Sequence, residues 1–211
     1  MKPLAALVVL VIAIALAALL LEAGAFGGAW VMRQRGLYDD EVRWLESFRP
    51  VMRWERGVAR LIARRERERI ERALLADRID RAVHLFRAAR AGARAAGGPM
   101  EADLMMLGIE TYRRAADRLV KHGRLSEAAD WDDSLFVLAI RSPAPQSRYA
   151  ALAGFMEGLD LRVRDGKPCA ALGRVQWAKH GLGGVIPGMA GNVEEDLSMQ
   201  CAQQRRAQAG R

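Results

Sequence analysis

Three histidines are the first candidates for metal or acid–base chemistry in this sequence. They are His84, His122 and His180, and no two of them lie four residues apart on one helix face, the spacing used by helical zinc sites. His122 comes directly before Gly123 at a predicted helix carboxyl end, where a cation or a capping side chain is favourable. We therefore expect no metal site at the histidines.

Three aspartates surround one tryptophan and form the second candidate. Asp130, Asp132 and Asp133 flank Trp131, and clustered carboxylates can bind a metal or work as an acid–base pair. An acidic run near the start of a helix is also stabilised by the helix dipole, and this is the interpretation we prefer. The sequence therefore predicts no catalytic residue, no metal and no cofactor here.

The glycine-rich stretch GLGGVIPG, residues 181–188, is the third candidate. Phosphate-binding loops combine glycines with a lysine or with a preceding strand, and this stretch has neither. It is predicted to be a loop. The sequence also lacks the GxSxG pattern of hydrolases, so we expect a protein that is not an enzyme.

The only two cysteines, Cys169 and Cys201, lie in the last quarter of the chain. An even pair that follows an export-like segment favours a disulfide, and closing a loop of this length would stabilise the fold by about 3–4 kcal/mol. The alternative is two reduced, buried thiols in a cytosolic domain. We predict the disulfide.

Most of the net charge of +8 comes from one segment, because residues 51–98 contain thirteen arginines against six acidic residues. An arginine-rich helix can lie on anionic lipid or contact nucleic acid. The segment Arg53 to Arg94 lacks interleaved aromatics for base stacking, and its arginines alternate with acids, which is typical of a solvated helix face. The residues predicted to form this basic surface are Arg60, Arg64, Arg65, Arg67, Arg69 and Arg72.

The amino-terminal segment, residues 1–35, is predicted to anchor the protein in a membrane. Leu4 to Leu21 are eighteen apolar residues without a charge, a helix of about 27 Å that matches the hydrocarbon core of a bilayer. Cleavage of a signal peptide after Ala25 is the alternative, since Ala23-Gly24-Ala25 fits a cleavage site. Gly24 and Gly28 could let two anchors pack, but we prefer to interpret them as a flexible turn.

Proline and glycine divide the remaining chain into helices, so the predicted fold class is all-α. We divide it into an arginine-rich helical segment, residues 36–98, and a helical-hairpin domain with the disulfide, residues 99–211. The predicted helices after the anchor cover residues 38–48, 52–96, 100–122, 125–140, 147–164, 168–180 and 192–204.

A spacing of small and large residues recurs along these helices. Ala82, Phe86 and Ala89 are matched by Ala171, Val175 and Ala178, and less well by residues 128, 132 and 135. A turn-type residue precedes the first alanine of each triplet by five positions. These residues are Asp77, Gly123 and Gly166.

This pattern resembles the second helix of a tetratricopeptide repeat over roughly residues 62–183. The middle copy is the fullest, and its matching residues are Tyr112, Ala116, Leu119, Gly123 and Ala128. The intervals of 46 and 43 residues depart from the family's 34, and the closing proline is absent, so an irregular helical bundle remains the alternative fold. The resemblance implies stacked helical hairpins with a concave groove for peptide or protein partners.

Together these features predict a membrane-anchored interaction or assembly module that is not an enzyme. The short amino-terminal tail favours export of the rest of the chain, so we expect one pass through a bacterial inner membrane and a periplasmic domain. The expected partners are other membrane or periplasmic proteins, and nucleic acid is not expected. The alternative is a cytoplasmic polyanion-binding protein that uses residues 53–94.

Overall fold

The computed structural model describes residues 2–48, 50, 56–96, 99–142, 146–181 and 190–209, and these residues contain no strand. The all-α prediction is therefore confirmed. Arg53 and residues 182–188 of the predicted loop lie outside the described residues. The helices are α1 (Lys2–Gln34), α2 (Tyr38–Phe48), α3 (Arg56–Leu75), α4 (Ile79–Ala96), α5 (Pro99–Lys121), α6 (Leu125–Ile140), α7 (Ser147–Arg164), α8 (Pro168–Gly181) and α9 (Ala190–Ala209).

Helix α1 has two halves with different surroundings. Its first half presents large apolar side chains from Leu7 to Leu20 on an exposed surface. Its second half packs on α2 and contributes Ala25 and Ala29 to a small apolar cluster with Leu45. Among the described residues, α1 is the one helix long and apolar enough to cross a membrane, and a signal sequence would meet the same criterion.

The glycines that follow the apolar run belong to the interior of α1, so the flexible-turn interpretation is wrong. A Cβ on Gly28 would collide with the indole of Trp44 on α2, and one on Gly24 would lie 4.0 Å from the ring of Phe48. Trp44 Nε1 donates a hydrogen bond to the carbonyl oxygen of Ala25 at 3.2 Å. These glycines therefore let α2 approach α1 within one chain.

Four turns of the same geometry join α1 to α2, α3 to α4, α5 to α6, and α7 to α8. Each has one residue with positive φ: Gly36 (72°), Asp77 (50°), Gly123 (71°) and Gly166 (73°). In each turn the next backbone N–H bonds to a carbonyl five residues earlier, with distances of 2.8–3.0 Å. This is the double hydrogen bond of a helix that ends in a left-handed residue. Three of these residues are the turn positions on which the sequence recurrence depends.

The turn at Asp77 divides the single helix that the sequence predicts over residues 52–96. The N–H of Arg78 bonds to the carbonyl oxygen of Ala73 at 2.8 Å, and α4 then returns along α3. Aspartate tolerates the left-handed conformation better than most residues, so no glycine or proline marks the break. The single-helix prediction was wrong for this reason.

The hairpins pack in chain order, and alternate helices also meet. Helix α3 contacts α5, and α5 contacts α7, in addition to the contacts between consecutive helices. A large apolar cluster extends from Ile70 to Leu197 through α3–α9 and crosses the predicted domain boundary at residues 98 and 99. Helix α9 packs on α8 at the end of the stack.

Candidate functional site

The predicted repeat-packing residues lie mainly inside the hairpin stack. Leu119 is half-buried, and Gly123 forms the exposed turn that ends α5. Gly108 on α5 shows how closely the helices approach, since a Cβ there would collide with the ring of Phe86 on α4. The buried members are Ala82, Phe86, Ala89, Tyr112, Ala116, Ala128, Ala171, Val175 and Ala178.

The two cysteines join the last two helices. The sulfurs of Cys169, in the first turn of α8, and Cys201, on α9, lie at disulfide-bonding distance, and their Cα atoms are 4.7 Å apart. The structure therefore brings the predicted pair together. The bond connects the final helix to the stack.

The predicted basic surface is largely ion-paired. Five of its six arginines contact carboxylates, and Glu68 alone lies 2.9–3.6 Å from the guanidinium nitrogens of Arg33, Arg64, Arg65 and Arg72. Arg60, the sixth, is exposed and has no ion pair with a described residue. Because few acids serve many arginines, positive charge is left over, and four arginines with one carboxylate line a single cleft.

We call this cleft the arginine cleft. It has a volume of 240 Å³ and lies between the start of α2, the end of α3 and the start of α4. The predicted single helix over residues 52–96 does not bring these arginines together, because it continues through the turn that contains Arg78. Its lining residues are Tyr38, Asp39, Arg69, Arg72, Ala73, Ala76, Arg78, Arg81 and Leu85.

Asp39 and Tyr38 position the guanidinium groups of the arginine cleft. The Asp39 oxygens accept hydrogen bonds from Arg69 Nε at 2.9 Å and from Arg81 Nη2 at 2.8 Å. The Arg72 guanidinium stacks on the Tyr38 ring with its Cζ 3.6 Å from the ring centroid. An arginine has five N–H donors in a planar fork, so donors remain after these contacts. The cleft can therefore bind an oxyanion with groups that are already oriented.

A buried carboxyl, Asp132 on α6, is the most perturbed titratable group that the structure shows. It is 1% exposed and lies where α6 crosses α7, with its Cβ 3.2 Å from the position that a Cβ on Gly158 would take. Burial, together with the nearby charges of Glu157 and Asp117, raises the pKa of Asp132 to about 7. Its Oδ2 makes no hydrogen bond to the described residues.

The neighbouring aspartates pair with arginines of other helices. Arg162 Nη2 on α7 lies 3.1 Å from Asp130 Oδ1 and 2.7 Å from Asp133 Oδ2. Asp133 also pairs with Arg174 Nε on α8 at 2.9 Å, although burial raises the pKa of its carboxyl. The helix-dipole interpretation of this cluster was wrong, because α6 begins at Leu125 and the aspartates lie beyond its first turn. The cluster instead joins three helices.

The histidines are not brought together as one site. His122 Nδ1 lies 2.7 Å from the carbonyl oxygen of Arg118, which fits the predicted capping role at the end of α5. His84 and His180 are exposed on α4 and α8. In the described part of the chain, no group of three or more potential metal ligands is present.

No protein-family model, curated protein or solved structure matches this chain. The arginine cleft is the candidate binding site, because it combines an open concave surface with unneutralised charge.

Proposed function

We propose that this protein is a membrane-anchored module that binds partner proteins and is not an enzyme. In this proposal α1 spans a bacterial inner membrane, and α2–α9 form a periplasmic stack of helical hairpins similar to tetratricopeptide repeats. The observation that carries the proposal is α1 itself, which joins an exposed apolar half to a half that is docked on the stack.

The docked half of α1 supports an uncleaved anchor. Ala25 is buried against α2, and Arg33 Nη1 lies 3.1 Å from Glu68 Oε2 on α3. Cleavage after Ala25 would divide a continuous helix inside this contact. An anchor that packs on the domain also restricts the orientation of the stack relative to the membrane.

The stack supports the binding role through the contacts between alternate helices. Because α3 meets α5 and α5 meets α7, these three helices form one layer of the stack. We call the exposed surface of this layer the shared side. Asp117 on α5 and Glu157 on α7 are exposed residues of these helices, and their charges raise the pKa of Asp132. An extended surface of this kind is what repeat proteins use to bind partners.

The cysteine pair supports the periplasmic location, because disulfides persist in oxidising compartments. Alkylation of intact cells with a mass tag measures this directly. Labelling of Cys169 and Cys201 only after reduction is expected, and labelling without reduction would contradict a periplasmic domain.

Site-specific photo-cross-linking in cells tests the binding role. A photoreactive residue replaces Asp117 or Glu157 on the shared side, and Gln176 or His180 on α8 as matched exposed controls. We expect discrete cross-linked bands from the first pair that the controls do not give. Equal patterns from both pairs, or none from the first, would contradict the proposal.

The alternative, a polyanion-binding arginine helix, needs a free basic face. Five of the six predicted arginines are ion-paired, and Arg65 and Arg69 face α2 through Glu41 and Asp39. We therefore prefer a protein partner to a lipid or nucleic-acid surface.

A further inference from the structure

We propose that the arginine cleft binds a carboxylate-rich segment of a partner protein. This inference rests on the proposed function and deepens it, since it states the chemistry by which one partner is recognised. The cleft does not include Asp117 or Glu157, because its lining residues belong to α2, α3, α4 and the turn at Asp77.

Charge is the first argument. Four guanidinium groups line the cleft, and among the residues that the structure describes Asp39 is the one lining carboxylate. Arg78 makes no ion pair with a described residue, and Arg81 remains 48% exposed beside Asp39. Because the guanidinium groups outnumber the carboxylate in a concave surface, an incoming anion is attracted to the cleft.

Geometry is the second argument. Arg69 and Arg81 are oriented by the Asp39 carboxylate and Arg72 by the Tyr38 ring, so little side-chain freedom is lost when an anion binds. Guanidinium forks fit carboxylates with paired hydrogen bonds. A volume of 240 Å³ admits one or two carboxylate side chains but no folded domain. The occupant is therefore an exposed acidic segment.

Position is the third argument, because it separates this cleft from the bilayer. The apolar run of α1 ends at Leu21, and α1 continues to Gln34, about 20 Å further along its axis. The cleft lies beside Tyr38 at the start of the next helix, beyond the headgroup layer of about 5–7 Å. A lipid headgroup in the membrane that holds α1 therefore does not reach it.

A binding measurement on the full chain in detergent micelles tests the proposal. The probe is a fluorescein-labelled decapeptide of glutamate, followed by fluorescence polarisation at low salt. The variant R78A/R81A is expected to weaken binding tenfold or more. The control R141A/R148A removes the same charge from exposed positions outside the cleft and should change binding less than twofold.

Two further measurements keep the result interpretable. Arg78→Ala alone leaves every described ion pair intact and should weaken binding at least threefold, so a folding defect in the double variant does not decide the outcome. Equal losses in the R78A/R81A and R141A/R148A variants would overturn the proposal, as would no loss in the cleft variants. Tighter binding of inorganic phosphate than of the peptide at the cleft would also overturn it.

The proposed function can fail separately. If cross-links form at Asp117 or Glu157 but the cleft variants bind the peptide as the wild type does, only the cleft proposal is wrong. If the peptide binds at the cleft but no partner is cross-linked in cells, the proposed function is contradicted while the anion chemistry of the cleft stands.

Discussion

Two joints between consecutive hairpins, whose internal turns share one geometry, have different buried centres. At the joint of α2 with α3, Glu41 is 1% exposed and lies 2.7 Å from Arg65 Nε. At the joint of α4 with α5, Phe86 is fully buried against Gly108, and its ring centroid lies 5.5 Å from that of Tyr112. The first joint therefore combines a buried ion pair with the apolar contact of Leu45 and Ile62, whereas aromatic packing forms the centre of the second.

The first hairpin also differs from the later hairpins at the position five residues after its turn. Glu41 comes five positions after Gly36, where the later hairpins have Ala82, Ala128 and Ala171. Burial raises the pKa of Glu41, which shows that the charged form is penalised at a position otherwise taken by alanine. A buried ion pair stabilises a joint less than apolar packing does, because removing both charges from water costs free energy. We therefore expect the joint beside α1 to be the weaker one.

Phe86→Ala should have the largest effect, because it empties the fully buried centre of the α4–α5 joint. A loss of about 3–5 kcal/mol in the free energy of unfolding is expected. Urea unfolding of the full chain in detergent, followed by circular dichroism, measures it. The control Leu75→Ala, at a position 83% exposed, should stay within about 0.5 kcal/mol. A loss below 1 kcal/mol for Phe86→Ala would contradict the prediction that Phe86 packing stabilises the α4–α5 joint.

Replacing both cysteines by serine tests the joint of α8 with α9, which is covalent. Loss of the Cys169–Cys201 bond should lower the free energy of unfolding by about 2–4 kcal/mol, because the unfolded chain regains loop entropy. A reducing agent should destabilise the wild type by a similar amount and leave the double variant unchanged. Equal sensitivity of both proteins to reduction would contradict the bond.

Asp132→Asn tests the effect of a buried carboxyl on stability. Asp132 lies nine residues after the turn at Gly123, as Phe86 lies nine residues after the turn at Asp77. The folded pKa of Asp132 is about 7, above the ordinary value of 3.8, so the folded state holds the proton more tightly. Wild-type stability should therefore fall as pH rises from about 4 to about 7 and then level off. Asparagine removes this slope and should stabilise the fold at pH 8 by about 1–3 kcal/mol.

Melting temperatures of the wild type and the Asn variant between pH 4 and pH 9 would show this difference. Asp160→Asn, at an exposed position on α7, is the matched control and should leave the pH profile unchanged. A wild-type profile that rises between pH 4 and pH 7 in parallel with that of the Asp132 variant would refute the assignment.

Arg33→Ala should have the smallest effect. Its ion pair with Glu68 is partly exposed, so a loss of about 0.2–1 kcal/mol is expected at low salt. The difference should vanish in 1 M salt, where charges are screened within about 3 Å. Phe86→Ala should keep its full effect at both salt concentrations. A salt-independent loss for Arg33→Ala would mean that packing, not charge, docks α1 on α3.

The sequence by itself determined the elements that depend on local chemistry. Helix bounds followed from propensity and from proline and glycine, and the predicted and observed bounds agree for α2, α6 and α7. The apolar half of α1 and the approach of Cys169 to Cys201 were also predicted. These features can be predicted without knowing which helices pack together. Helix bounds depend on residues close in sequence, and two cysteines allow only one pairing within the chain.

The tertiary structure alone decided where the charges meet. The break at Asp77 brings Arg81 back to Asp39, and no periodicity predicts a contact between residues 42 positions apart. Likewise, nothing in the sequence around Asp132 predicts that α7 will bury this side chain beside Gly158. Charge counts are additive along a chain, but pKa values and binding clefts depend on distances that only the packing of the helices sets.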